Sequence, residues 1–184
     1  MLSKAALRSE ALTIDTIKNT HMAVHGAPLV HMVEHYLQTF DWQAAIQAVL
    51  PKVTLCGLIY QLENPFGDAQ LSFAVADMRN ITCCKPHYHI NGETEIYVVM
   101  QDSGLVVGEQ ERHVVKGDVI ITPPVVAHFT LPEDELVFAI VNTPPFDVAN
   151  MVEVHESCTV VGFDKDQFDR LINEAMQKKE EKTR

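Results

Sequence analysis

Three histidines and a nearby carboxylate have the types and spacing of a metal site. His87 and His89 are two residues apart, Glu93 and Glu95 follow closely, and His128 lies behind a distant turn. In a β-strand, residues two apart point to the same face, so His87 and His89 should project side by side. Imidazole nitrogens combined with a carboxylate oxygen are ligands that divalent transition metals accept. The sequence therefore predicts a metal centre with mixed nitrogen and oxygen ligands.

The residues around this candidate site have the pattern of short β-strands. From Lys52 onward, apolar and β-branched runs alternate with turns rich in Gly and Pro. Leu71, Phe73 and Val75 alternate with smaller or polar residues, as in a half-buried strand. The predicted strands cover residues 53–62, 71–75, 81–89, 95–100, 105–107, 112–115, 119–122, 129–131, 136–142 and 151–155. Many short strands at even spacing indicate an all-β sandwich or barrel, which we place at residues 51–160.

Helices are predicted on the N-terminal side of the barrel. Residues 1–50 carry apolar side chains at helical spacing, interrupted by Gly26, Ala27 and Pro28. Asp41 is a plausible N-cap for a short helix over residues 42–50, which the following proline would stop. We expect this N-terminal helical segment to pack on the barrel.

A single helix is predicted at the C-terminal end, within residues 163–184. Asp164 and Gln167 form a capping box at its start. The apolar residues that follow form one stripe, so this helix should dock on the barrel. The charge run Lys178–Arg184 is expected to be a frayed, solvated end.

Composition narrows the class of protein and its partners. The chain has 184 residues and a formal net charge of -11. That length suits one well-buried domain with short appendages. The negative charge disfavours nucleic acid and anionic membrane surfaces as partners. No apolar run approaches the roughly 20 residues that span a bilayer, and the first residues lack a signal-peptide pattern, so we expect a cytoplasmic protein.

The cysteines do not form a recognisable framework. There are four, namely Cys56, Cys83, Cys84 and Cys158, and no CxxC motif occurs. This usage agrees with a reducing compartment. We expect all four to be plain buried or half-buried thiols.

Two motifs resemble those of the cupin superfamily, whose members are double-stranded β-helix (jelly-roll) barrels. The cupin pattern has an HxH pair followed by a Glu, and later a Gly followed at fixed spacing by a Pro and a His. The first motif matches His87, His89 and Glu95, and the second matches Gly117, Pro123 and His128. The resemblance covers about residues 70–145, which is most of the predicted barrel.

The resemblance implies a set of ligands for one divalent metal ion. These ligands would be His87, His89, Glu95 and His128. Three imidazoles and one carboxylate suit Mn, Fe, Co, Ni or Zn and leave positions open for water or a small-molecule ligand. The gap between the HxH pair and Glu95 is one residue longer than usual, so Glu93 is a rival ligand. Glu95 is preferred because the strand that it begins resembles that of the family and aims Glu95 and Tyr97 to one face.

The chain departs from the cupin pattern at two expected glycines. Asp102 replaces the glycine after the Glu-containing strand, and Gly104 follows two residues later. Val125 replaces the glycine after the proline pair. We therefore expect that the turn at Val125 does not need a positive φ.

The resemblance also suggests a reaction. The first motif looks most like that of cupin isomerases acting on sugars or sugar phosphates, in which the metal polarises substrate oxygens. Glu93, if it is not a ligand, and Tyr97 are the candidate catalytic residues for moving the proton. The alternatives are an Fe(II) dioxygenase and a non-enzymatic cupin that binds a small molecule. Cupin barrels commonly pair, so we expect a homodimer.

Overall fold

The fold is built from two antiparallel sheets. The structure is a computed structural model and describes residues 31, 33, 35–154 and 163–183. The first strands along the chain are β1 (Lys52–Thr54), β2 (Gly57–Leu62), β3 (Ser72–Asp77), β4 (Cys84–His89), β5 (Thr94–Gln101) and β6 (Ser103–Val107). They are followed by β7 (Glu111–Val115), β8 (Val119–Thr122), β9 (His128–Pro132), β10 (Val137–Thr143) and β11 (Met151–Glu153).

The two sheets enclose a jelly-roll barrel. The six-stranded sheet has the order β1-β2-β3-β10-β5-β8, and the five-stranded sheet has the order β11-β4-β9-β6-β7. Strands that are distant in the chain become neighbours, such as β3 with β10 and β4 with β9. The prediction of an all-β, double-sheet core is therefore confirmed. The predicted division of the chain at residues 50 and 160 stays a prediction.

Strand β3 of the six-stranded sheet is covered on both faces. Every residue of β3 is buried, so the prediction of a half-buried strand was wrong. Phe73 and Val75 pack with Val33, Leu37 and Trp42 on the outer face, while the alternate residues of β3 face the barrel interior. The helical residues that contribute Val33, Leu37 and Trp42 form a helical cover over this face of the sheet. The cover buries apolar side chains that would otherwise meet water.

Two of the described helices begin at predicted caps but end at places other than those predicted. Residues 31, 33 and 35–37 are helical, and α1 spans Trp42–Gln47, three residues shorter than predicted. Asp41 caps α1 by accepting a hydrogen bond from the amide of Ala44 at 3.0 Å. Residues 1–30, where further helix was predicted, lie outside the described residues.

The C-terminal helix α2 spans Lys165–Thr183. Asp164 accepts a hydrogen bond from the amide of Gln167 at 2.9 Å, which confirms its capping role. Leu171 is buried against the five-stranded sheet. Residues 178–181 are exposed, as predicted, but this end is not frayed, since α2 continues to Thr183. Of the helices in the described part of the chain, none is both long enough and apolar enough to cross a membrane.

A turn divides the first predicted strand into β1 and β2. The amide of Cys56 donates to Oγ1 of Thr54 at 3.1 Å, and Gly57 follows with a φ of +91°. The amide of Lys85 donates to the carbonyl of Leu55 at 3.0 Å, which ties this turn to β4. The turn therefore brings Cys56 to the start of β4.

The turn joins two cysteines that the sequence leaves 28 residues apart. Cys56 and Cys84 form a disulfide, and Cys83 is a free thiol. The prediction of four separate thiols was therefore wrong for Cys56 and Cys84. The contact depends on the packing of the turn against β4, and cysteine spacing carries no signal of it.

Two non-glycine residues have left-handed backbone conformations at the positions where glycine was expected. Asp102 has a φ of 51° and Val125 a φ of 57°. The expectation that the turn at Val125 needs no positive φ was wrong. The chain adopts this backbone conformation there without glycine, and a β-branched residue such as Val125 is strained in this region.

Candidate metal centre

Three strands bring the four predicted ligands together inside the barrel. His87 and His89 lie on β4, Glu95 on β5 and His128 on β9. His87 and His128 face each other directly in the pairing of β4 with β9. All four side chains are buried, and one ligand atom from each lies within 4.8 Å of the others. The cluster therefore joins both sheets across the barrel interior.

The spacing within the cluster suits a shared cation. Oε2 of Glu95 lies 2.9 Å from Nε2 of His128 and 3.2 Å from Nε2 of His89. Ligand atoms that sit about 2.1 Å from one metal at right angles to each other lie about 3 Å apart. Both ring nitrogens of His89 and Oε2 of Glu93 are buried without a hydrogen-bond partner. A cation would compensate for this unsatisfied buried polarity, so the donor set fits a metal.

Backbone carbonyls orient two of the imidazoles. Nδ1 of His87 lies 2.8 Å from the carbonyl of Lys85, and Nδ1 of His128 lies 3.0 Å from the carbonyl of Val126. A carbonyl only accepts, so each Nδ1 carries the proton and donates. This tautomer leaves Nε2 of both rings as a free lone pair. Such outer hydrogen bonds are the usual means of fixing a metal-binding histidine.

Glu93 and Glu95 occupy different sides of His89. Oε2 of Glu93 lies 3.4 Å from Nδ1 of His89, whereas Glu95 faces Nε2. The side-chain amide of Asn142 donates to Oε1 of Glu93 at 2.6 Å and to Oε1 of Glu95 at 2.9 Å. Of the two carboxylates, Glu95 is thus grouped with the three histidines, and Glu93 lies behind His89. The catalytic role expected for Glu93 stays a prediction.

Asn142 is the residue that sequence reasoning missed. It lies on β10, whose preceding residues Val137–Val141 are all apolar and buried, and Asn142 itself is only 2% exposed. A single amide at the end of a buried apolar run is the signal that could have found it, because a buried amide needs hydrogen-bond partners. Here its partners are the two carboxylates.

Tyr97 lies beside the cluster with its hydroxyl against Glu95. The hydroxyl donates to Oε2 of Glu95 at 2.5 Å and lies 3.3 Å from Nε2 of His128. Burial and the negative charge of Glu95 raise the pKa of Tyr97 well above its ordinary value. Tyr97 is therefore a hydrogen-bond donor in this site. Its predicted catalytic role stays a prediction.

The electrostatics of the cluster favour one positive charge among the carboxylates. Burial is the main cause that lowers the pKa of His87 to about 3. Burial also acts to lower the pKa of His89, but the negative charges of Glu95 and Glu93 outweigh it and raise that pKa to about 10. Burial acts to raise the pKa of Glu95, but His89 and His128 hold it well below its usual range. A metal ion would supply the same compensation as the proton on His89.

A small cavity with a largely apolar wall adjoins the cluster. Glu95, Tyr97, His87 and Asn142 form its polar end. Its apolar wall includes Ile59, Met78, Phe138, Ile140, Phe146 and Met151. The cavity has a volume of about 30 Å³, room for about two water molecules. It can therefore admit the reacting end of a metabolite rather than a whole sugar.

Comparison with known proteins identifies the family. The profile of the family described as Cupin matches residues 61–159, more than half of the chain. The chain therefore belongs to the cupin family, as the two sequence motifs indicated. No curated relative matches the chain in sequence.

Solved structures resemble this chain at low sequence identity. A protein from Planctomyces limnophilus is 22% identical, with a TM-score of 0.50, over 58% of this chain and 91% of that one. Ectoine synthase from P. lautus is 9% identical, with a TM-score of 0.48, over 62% and 93% of the two chains. KdgF from Halomonas sp. is 15% identical, with a TM-score of 0.45, over 52% and 86%. The likeness to the Planctomyces limnophilus protein concerns the barrel and not its chemistry.

Proposed function

We propose that His87, His89, Glu95 and His128 hold one divalent metal ion, and that the protein is a metal-dependent cupin acting on a small polar metabolite. The observation that carries the proposal is the convergence of four buried donor atoms, two of them on imidazoles already oriented by backbone carbonyls. The donor set suits Mn, Fe, Co, Ni or Zn. The predicted cytoplasmic location is kept as an expectation.

The reaction we favour is isomerase-type proton transfer on a sugar or sugar phosphate. When bound, the metal supplies Lewis-acid polarisation of neighbouring hydroxyl and carbonyl oxygens. The hydroxyl of Tyr97 can turn from Glu95 to donate to a substrate oxygen. Asn142 holds Glu93 and Glu95 in place, and Glu93 is the proposed base. The apolar wall excludes water from the proton being moved.

One observation favours a second candidate, an Fe(II) dioxygenase. The cavity is small and its wall is mostly apolar, which suits dioxygen and a compact, weakly polar substrate better than a polyol. Non-haem iron enzymes need open positions on the metal, and four protein ligands leave two positions on a six-coordinate ion. This candidate differs from the isomerase in its co-substrate, so the two can be separated by experiment.

The test begins with metal-free protein reloaded with Mn, Fe, Co, Ni or Zn. Each form is screened by calorimetry and product analysis against sugars, sugar phosphates and organic acids, and the Fe(II) form, loaded anaerobically, is assayed for oxygen uptake. We expect turnover without oxygen uptake, and its loss in Tyr97→Phe. The control is His113→Ala, because His113 is exposed and pairs with Glu133 on the barrel surface. Oxygen consumption coupled to product formation would favour the dioxygenase. Tight binding of a small molecule without turnover, whichever metal is loaded, would indicate a non-enzymatic binding protein.

We also propose that the protein is a homodimer. β1 is an edge strand of the six-stranded sheet, and its Val53 is 84% exposed. Leu50, just before β1, is 92% exposed. Exposed apolar residues on a sheet edge favour pairing with another copy. Sedimentation at micromolar concentration should give the dimer mass, and a Val53→Lys variant should be monomeric; a monomeric parent protein would refute the proposal.

A further inference from the structure

The Cys56–Cys84 pair lies directly against one of the proposed metal ligands. Sγ of Cys56 is 3.7 Å from Nε2 of His87, and Sγ of Cys84 is 3.8 Å from Nδ1 of the same ring. Cys56 is 9% exposed and Cys84 is 3% exposed. Both sulfurs line the same cavity as Glu95 and Tyr97. The proposed four-ligand centre uses neither sulfur, so the cysteine pair has no role in the function proposed above.

Two thiolates and an imidazole are themselves a metal-binding set. Cys56, Cys84 and His87 offer ligand atoms that lie within 4.8 Å of one another. Thiolate ligands select thiophilic ions such as Zn²⁺, whereas carboxylate and imidazole also accept harder ions such as Mn²⁺. Two sulfurs bound to one zinc lie on the order of 4 Å apart, so the disulfide must be reduced before both can bind.

The two clusters compete for a single nitrogen. Nδ1 of His87 donates to the carbonyl of Lys85, which leaves Nε2 as the free lone pair of the ring. Nε2 therefore serves either the four-ligand centre or the pair of thiolates, and one lone pair binds one metal. Nε2 can bind a metal together with the two thiolates only when the cysteine pair is reduced.

We propose that reduction of Cys56–Cys84 creates a thiophilic metal site with His87 and withdraws that histidine from the four-ligand centre. A thiol reductant supplies two electrons and two protons: the Sγ–Sγ bond breaks, Cys56 and Cys84 become thiols, and the reductant leaves as its own disulfide. Binding a divalent ion then displaces one proton from each thiol to solvent. The oxidised protein keeps only the four-ligand centre.

The inference rests on the proposed function only through His87, and the test separates the two. Full-length protein carrying Cys83→Ser and Cys158→Ser is prepared oxidised, or reduced with a phosphine that is then removed. During reduction the phosphine takes an oxygen from water to become its oxide, and the protons of that water go to the two sulfurs. Each form is titrated anaerobically with Co²⁺, because thiolate ligands give Co²⁺ a near-ultraviolet charge-transfer band that imidazole and carboxylate ligands do not give.

We expect the charge-transfer band in the reduced protein and its absence in the oxidised protein. Cys84→Ser in the same background should lose the band, while His89→Ala, which removes only a ligand of the four-ligand centre, should keep it. Cys83→Ser alone should behave as the parent, since burial raises the pKa of Cys83 to about 12 and keeps it protonated. The comparison of oxidised with reduced protein needs no cysteine-to-serine change at the pair and so stands even if Cys84→Ser does not fold.

The inference is overturned if reduced protein with two titratable thiols shows no band, or if the band survives in a folded Cys84→Ser variant. If oxidised protein fails to bind Co²⁺ while the reduced form shows the band, the four-ligand proposal fails and the competition for His87 falls with it, but the thiolate site of the reduced protein stands. Loss of the band in His89→Ala would show that the two clusters are one site, which also contradicts the inference.

Discussion

The two faces of β5 are both buried and differ in chemistry. Ile96, Val98 and Met100 face the helical cover and belong to a cluster that is entirely apolar or aromatic. Glu95 and Tyr97 point the other way, into the barrel, toward the histidines and the cavity. One strand thus carries an apolar packing surface on one side and an ionisable site on the other. The comparison indicates that the helical face serves packing alone, while the inner face combines packing with groups that can do chemistry.

The helical face is packed with aromatic rings, whereas the inner face combines apolar packing with unsatisfied polar atoms. Phe73 is 1% exposed and contacts the rings of Tyr36, Phe40 and Phe66, with centroids 5.2–5.8 Å away. The inner face instead places three unsatisfied polar atoms in its centre, which costs folding free energy unless a cation is bound. We therefore expect changes on the two faces to have separable effects on stability and on metal binding.

The largest effect on stability is expected from Phe73→Ala. Removing a fully buried aromatic side chain costs about 3–5 kcal/mol, because the surrounding rings do not collapse into the cavity. Urea unfolding measures the change, and the protein that remains folded should bind metal as the parent does. The control is Val115→Ala, at a position that is 46% exposed, with a change within about 0.5 kcal/mol. Parallel losses of stability and of metal affinity in the folded fraction would contradict the separation of the two faces.

Glu93→Gln should weaken metal binding without removing a ligand. Glutamine keeps the acceptor for Asn142 but removes the negative charge beside Nδ1 of His89. Loss of such an outer partner costs about 10–100-fold in metal affinity. Competition titration with a chelator measures the change, and the exposed Glu109→Gln is the matched control. An unchanged Kd would show that Glu93 does not position His89.

Val125→Gly should stabilise the protein. A left-handed conformation costs an L-residue about 1–2 kcal/mol, and part of that gain is offset because glycine loses more chain entropy. We expect a net gain of about 0.5–1 kcal/mol in the free energy of unfolding. Asp102→Gly is the comparison, with a smaller gain because Asp tolerates this region. Equal gains at both positions, or a loss at Val125, would contradict the account of strain.

The smallest effect on stability is expected for the ion pair of Asp77 and Arg79, which links the end of β3 to α1. Asp77 accepts from Arg79 at 2.7 Å, and Arg79 lies 5.5 Å from the ring centroid of Trp42. Burial acts to raise the pKa of Asp77, but Arg79 outweighs it and holds that pKa below 3.8. The pair therefore stabilises the folded state above the unfolded pKa, and this contribution is lost as the pH falls through the folded value.

Asp77→Asn should flatten this acid dependence. We expect the free energy of unfolding to fall by about 0.5 kcal/mol at neutral pH and to differ little between variant and parent at the acid end. The control is the exposed Glu63→Gln, which should show no such change. Thermal unfolding at several pH values below 5 measures it. A variant whose stability parallels the parent at every pH would refute the assignment.

The barrel could be predicted from the sequence because it depends on the two-residue period of a strand, and the set of four ligands was implied by the resemblance to cupin motifs. The HxH pair must share a face, and Glu95 and His128 follow at spacings that the barrel brings together. Asn142 could not be assigned a role in the same way, because only the pairing of β10 with β5 puts it between the carboxylates.

The remaining errors concern contacts between distant parts of the chain. The Cys56–Cys84 bond depends on a turn docking on β4, and the full burial of β3 depends on a helical cover from an earlier segment. The φ of Val125 is set by the barrel rather than by the residue. Local patterns do not carry these long-range constraints, so they became visible only in the fold.

The most direct test of the central claim is the metal content of oxidised, untagged protein, measured by elemental analysis. We expect one divalent ion per chain in the parent and in His113→Ala. A folded variant that replaces His87, His89, Glu95 and His128 together by alanine should contain almost none. If that variant retains the full metal content of the parent, the four side chains do not form the metal centre.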